Sequence, residues 1–157
     1  MRKTLNLLVV AVALVELAAV DTWAAESLVR FDGGIGSTPL SAGPASNVVR
    51  GVSPGGQPWV IRDLKAAVRV DGSIKVDGRG LLLAGGNTIG GNGNQSVRAV
   101  LFCGNLAQQS ALVPLEANGD FRIDDVLTPT PPNPCSSPVL LIVSGGDRWF
   151  AAGIPVD

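Results

Sequence analysis

Leu64-Lys65-Ala66-Ala67-Val68-Arg69-Val70-Asp71-Gly72-Ser73-Ile74-Lys75-Val76-Asp77 decides the fold. Apolar and polar side chains alternate on both sides of Asp71-Gly72-Ser73, the pattern of two half-buried strands joined by a tight turn. Val60, Leu64 and Val68 also stand at helical spacing, but the alternation running on to Val70 favours strand. Register then selects the loop. A two-residue loop at Asp71-Gly72 would set Val68 opposite Lys75 and mix apolar with charged side chains on one face. A three-residue loop of Asp71, Gly72 and Ser73 instead pairs Val70 with Ile74 and Val68 with Val76, which leaves one face apolar. Arg69 then faces Lys75, a mild like-charge penalty that a diagonal Asp77 relieves.

The same logic recurs downstream. Val113 and Leu115, then Ala117-Asn118-Gly119, then Phe121 and Ile123 predict a second three-residue loop, with Leu115 opposite Phe121 and Val113 opposite Ile123. Gly119 supplies the left-handed residue that such a loop needs. Pro114 has no N–H, which puts its strand at a sheet edge or a bulge. Between the hairpins Val97, Ala99, Leu101 and Cys103 alternate with Arg98, Val100 and Phe102, so residues 96–103 predict a central strand buried on both faces.

Residues 27–31 read as a first strand, weakened after Phe31 by Asp32-Gly33-Gly34-Ile35-Gly36. Residues 37–58 read as mostly loop, with a short strand at 47–52 ended by the turn signal Ser53-Pro54-Gly55-Gly56. Thr128-Pro129-Thr130-Pro131-Pro132-Asn133-Pro134 is an extended, stiff crossover, because its prolines remove donors and disfavour helix. Residues 139–143 and 148–154 are closing strands around a turn at 144–147. About eight strands, many turns and no helix predict an all-β fold: one antiparallel sandwich, immunoglobulin-like or prealbumin-like, with a small barrel as the alternative.

Asn118-Gly119-Asp120-Phe121-Arg122-Ile123, followed by Val126-Leu127, resembles the turn and strand of prealbumin-like and carboxypeptidase-regulatory-like sandwiches, where a Gly-x-Phe-x-Ile strand follows a tight turn. The resemblance covers residues 97–143 and implies a sandwich. As a whole the chain is similar to small exported proteins of bacteria, which implies an address and no activity.

That address is written in the first 24 residues. Met1-Arg2-Lys3 is a positive start, residues 7–15 are apolar, and Thr22-Trp23-Ala24 offers small residues where a signal peptidase reads. Cleavage is expected between Ala24 and Ala25, since cutting one residue later would put Trp23 where a small side chain is wanted. The apolar run is about half the ~20 residues that a membrane span requires, and Glu16 closes it. The expected product is a secreted or periplasmic domain over residues 25–157 with no stable membrane span. It keeps ten basic and eleven acidic side chains, with no basic block, which argues against a nucleic-acid partner. Histidine and tyrosine are absent, so imidazole-based catalysis cannot be built. Cys103 and Cys135 are the only cysteines, and in an oxidising compartment they are expected to pair as a structural disulfide.

Other candidate groups are weaker. Asp120, Asp124 and Asp125 could hold a cation, but their spacing matches no calcium loop and a solvated charged face explains them. Residues 85–94 form a glycine- and asparagine-rich run that lacks the Lys-Ser/Thr of a phosphate loop and the aspartate of a calcium repeat. Together with residues 37–57 it is the surface where a partner would be sought. Asn94-Gln95-Ser96 is a glycosylation sequon. Trp59 and Trp149 sit in apolar runs and read as core; Lys65 and Lys75 lie on wet strand faces, which argues against a serine-lysine nucleophile. No catalytic, cofactor-binding or metal-binding residue is assigned. The expected function is a non-catalytic binding or structural module for a protein or small molecule. An enzyme inhibitor is the alternative, and a hydrolase using Asp63, Glu116, Asp120 and Asp124 is a more distant one.

Overall fold

A computed structural model of the chain describes residues 26–39 and 47–157. The export segment, with Ala24 and Ala25, lies outside the described residues. Twelve strands and no helix occur among them: β1 (Ser27–Gly36), β2 (Ser53–Pro54), β3 (Trp59–Val60), β4 (Asp63–Arg69), β5 (Ser73–Arg79), β6 (Leu82–Leu83), β7 (Ser96–Cys103), β8 (Leu106–Gln109), β9 (Val113–Pro114), β10 (Phe121–Val126), β11 (Val139–Ser144) and β12 (Arg148–Val156). The class is the all-β one expected.

Ten strands belong to one sheet. Its path is β10-β5-β4-β1-β12-β11-β7-β8, antiparallel throughout, with β9 added to β7 and β2 added in parallel to β12. Gln109 and Thr128 exchange backbone bonds of 2.9 and 3.0 Å, so the segments leaving the two terminal strands, β8 and β10, touch and the sheet curls back on itself. Both walls of the curl feed one core. Leu64, Val68, Ile74 and Val76 from β4 and β5 pack with Val97, Leu101, Leu140 and Ile142 from β7 and β11.

The first hairpin forms with a different register. Val68 lies opposite Ile74, Ala66 opposite Val76 and Lys65 opposite Asp77. The three-residue tip is therefore Val70, Asp71 and Gly72, not Asp71 to Ser73. Glycine chemistry explains the shift: the last loop residue must be left-handed, and Gly72 takes φ 87° there while its N–H donates to the Arg69 carbonyl at 2.9 Å. Asp71 accepts from the Ser73 N–H and hydroxyl at 2.9 and 2.7 Å. The slip preserves the apolar face, and it replaces a like-charge neighbour of Lys75 with Ala67.

In the second hairpin the turn is right and its strands part. Glu116 N–H donates to the Asp120 carbonyl at 2.9 Å and Gly119 N–H to the Glu116 carbonyl at 2.8 Å, so Ala117-Asn118-Gly119 is the loop. Beyond it Val113 pairs with Val97, whereas Ile123 pairs with Val76. The alternating pattern states which face is buried but not which neighbour covers the edge.

Strand β1 runs through its glycines instead of ending at Phe31. Gly34 has no room for more: a Cβ there would sit 3.0 Å from side chains of Ile61 and Leu64. The stretch from Trp59 to Val70, where strand is favoured over helix, divides into β3 and β4. Residues 49–52 form a tight turn with Val49 and Val52 doubly bonded, and the strand begins at Ser53, within the stretch read as a turn.

Strand β7 is buried on both faces, as its sequence indicates. Val97, Ala99, Leu101 and Cys103 join the main core, while Val100 and Phe102 join Leu141, Val143 and Trp149 on the other side. That second layer is covered by Val49 and Val52, and the Trp149 indole N–H donates to the Asn47 carbonyl at 3.0 Å. Part of the long loop is thus a lid on the sheet. Cys103, at the end of β7, is bonded to Cys135 at the end of the proline crossover, with Cα atoms 4.8 Å apart.

Candidate functional site

The two segments that sequence marks as interaction loops meet at one end of the curl. Both leave from the β3–β6 pair, where Trp59 lies opposite Leu83. Ser37 N–H donates to the Phe150 carbonyl, and Trp59 N–H to the Ser37 carbonyl, both at 2.8 Å, which ties the first segment to β12. Gly90 N–H donates to the Leu83 carbonyl and Leu83 N–H to that of Gly91, at 2.8 and 2.9 Å, which folds the second segment back over β6.

Between them lies a cleft of about 630 Å³, within the range typical of ligand sites. Gly55, Gly56 and Gln57 form one wall, Thr88, Gly93 and Asn94 the other, and Trp59, Leu83 and Phe150 the floor. Trp59 and Phe150 are stacked, with centroids 4.0 Å apart and planes 16° from parallel. One aromatic face of each is therefore spent on the other, and both residues are buried. Trp59 offers an edge, not a platform. A Cβ on Gly55 would lie 2.9 Å from its indole nitrogen, so only glycine lets the main chain pass this close to that edge. Trp149 has the Asn47 carbonyl for its N–H; none of the side-chain hydrogen bonds among the described residues engages Trp59. Arg148 is the one charged residue on the lining, beside Ser144. None of the ion pairs among the described residues includes it, and the adjacent Asp147 is held by Arg98.

A second depression, of about 540 Å³, lies on the outer face of β1, β4, β5 and β10. All its charges but that of Arg30 already answer one another. Register places Asp32, Lys65, Asp77 and Arg122 in one row of alternating sign across four strands, with Lys65–Asp32 at 4.0 Å and Arg122–Asp77 at 3.1 Å. The next row is Arg30, Ala67, Lys75 and Asp124, with Lys75–Asp124 at 3.5 Å. Exposed pairs of this kind contribute little each.

The three aspartates weighed as cation ligands go to separate partners. Asp120 accepts from the Gly80 N–H at 3.0 Å and from Arg79 at 3.1 Å, and Arg62 stands 3.8 Å away. Its side chain is only 14% exposed. The Gly80 N–H, then Arg79, hold its carboxyl below the usual carboxylate range. Asp125 is lowered likewise, first by the Ala111 N–H, which it accepts at 2.8 Å. Asp124 pairs with Lys75. Arg79 also holds Asp77 in a two-point contact of 2.6 and 3.1 Å, which raises the guanidinium further. Sequence periodicity shows Asp120, Arg122 and Asp124 on one face but not this network, because Arg79 and Asp120 are 41 positions apart. Asp63 is half-buried opposite Arg79, Glu116 is exposed at the turn, and Lys65 and Lys75 are exposed. Asn94 of the sequon is exposed on the cleft wall, with φ 51°.

Fold and cleft together describe a disulfide-bonded β-domain with a loop-walled recess. No family model matches the chain, and neither curated proteins nor solved structures give a match.

Proposed function

We propose that this chain is an exported, non-catalytic binding module that takes its ligand in the cleft between residues 55–57 and 88–95. One observation carries the reading: two loops remote in sequence converge on a floor of Trp59, Leu83 and Phe150, leaving an indole edge and one cation without protein partners. A recess receives a ligand, whereas an inhibitor would present a projecting loop, so the binding reading is preferred. The disulfide supports a periplasmic or secreted location.

Two measurements test it. Intact mass of the native protein should give a chain beginning at Ala25 outside the cytoplasm; an intact Met1 in the cytoplasmic fraction overturns export. A fragment screen read by amide chemical shifts should move Gly55, Gly56, Gly93 and Gln95 together. Hits scattered over the surface, or none at these residues, overturn the cleft as the binding site.

A further inference from the structure

Resting on that reading, we propose that the cleft selects a ligand carrying a carboxylate on an apolar body, with Arg148 as its counter-charge and the Trp59 indole N–H as a second donor. The polarity of the lining carries the argument. Among the described residues no carboxylate lines the cleft, and Arg148 is its only charge. The nearest acid in sequence, Asp147, is committed to Arg98. Arg148, like Arg30, Arg50 and Arg69, has no carboxylate partner among the described residues, and it alone of these four lines the cleft.

Geometry adds direction. Strand β12 fixes the Arg148 backbone, whose N–H donates to the Ser144 hydroxyl at 3.2 Å, next to the floor residue Phe150. The Trp59 indole nitrogen lies beside the Gly55 main chain, where a Cβ would stand 2.9 Å from it. A planar carboxylate matches the guanidinium fork in two-point geometry and accepts from the indole as well, while a cation would find no acceptor of charge. The apolar floor of Leu83 and Phe150 then takes the body of the ligand.

Such a group could belong to a free organic acid or to the end of a peptide. The test titrates the oxidised protein with benzoate and benzamide, and with N-acetylphenylalanine and its primary amide, following the Gly55, Gly56, Gly93 and Trp59 indole resonances. Each acid that fits should bind at least roughly fivefold tighter than its amide, and the acid that binds identifies the source. Arg148→Met should erase the acid–amide difference; Arg148→Lys should retain part of it. Acids and amides that bind the cleft equally overturn the charge selection and leave the binding-module reading standing. The same holds if the four probes leave these resonances still while neutral fragments move them. If nothing moves them, both readings fall.

Discussion

Leu81 donates its backbone N–H to the Gly119 carbonyl at 2.9 Å, and the two main chains lie so close that a Cβ on Gly119 would stand 2.5 Å from the Leu81 oxygen. This contact locks the turn before β10 against the end of β5, and it sets the Asp120 carboxylate on the Gly80 N–H and Arg79. Gly119 also has φ 81°. Gly119→Ala should therefore destabilise by at least about 2 kcal/mol, adding a clash to the left-handed penalty. Gly104→Ala isolates that penalty, since φ there is 62° with nothing within 4 Å, and should cost about 1 kcal/mol. Urea midpoints of the two variants decide it; equal losses would refute the contact.

The Cys103–Cys135 bond spans 32 positions and removes chain entropy from the unfolded state. Reduction, or the Cys103→Ser/Cys135→Ser double variant, should lower stability by about 3 to 4 kcal/mol. Denaturation with and without reductant measures it. Two thiols that alkylate in the unreduced native protein would show the bond absent.

Gln108 is 1% exposed, and its side-chain oxygen has no hydrogen-bond partner among the described residues. An orphaned buried acceptor costs about 1 to 3 kcal/mol. Gln108→Met keeps the shape and removes that cost, so the variant should be more stable by about 1 kcal/mol or more. A loss in thermal unfolding would mean that the amide is satisfied in solution.

Ala67 stands between Arg30 and Lys75 in a row where the neighbouring row alternates perfectly. Ala67→Glu completes the alternation and should stabilise by about 0.2 to 1 kcal/mol at low salt, fading at high salt. A gain insensitive to salt would point to some cause other than charge.

Asp120 and Asp125 have lowered carboxyl values in the folded protein, through the Gly80 and Ala111 N–H groups respectively. A lowered folded value means stabilisation that is fully present at neutral pH, above the unfolded value near about 4, and lost as acidification passes through the folded one. Urea midpoints should thus fall below about pH 4. Asp125→Asn should be less stable at pH 7 and lose less between pH 7 and pH 3; a loss as large as in the parent excludes Asp125 as a source.

What the chain determined by itself was local. Alternation through residues 64–76 made strands, Gly72 and Gly119 made turns, and the double-faced apolar run of 96–103 made a buried centre, because a strand's period of two encodes burial directly. The expected export, with only two cysteines in the chain, pointed to the disulfide. Only the tertiary structure decided partners. The segments flanking the turn at 117–119 pair with Val97 and Val76, not with each other, because either neighbour satisfies an alternating face and the choice rests on how the whole sheet curls. For the same reason the cleft was legible only as two separate polar loops. Its lining comes from residues 55–59, 83–95 and 144–150, and nothing in a local pattern states that such distant segments share one site.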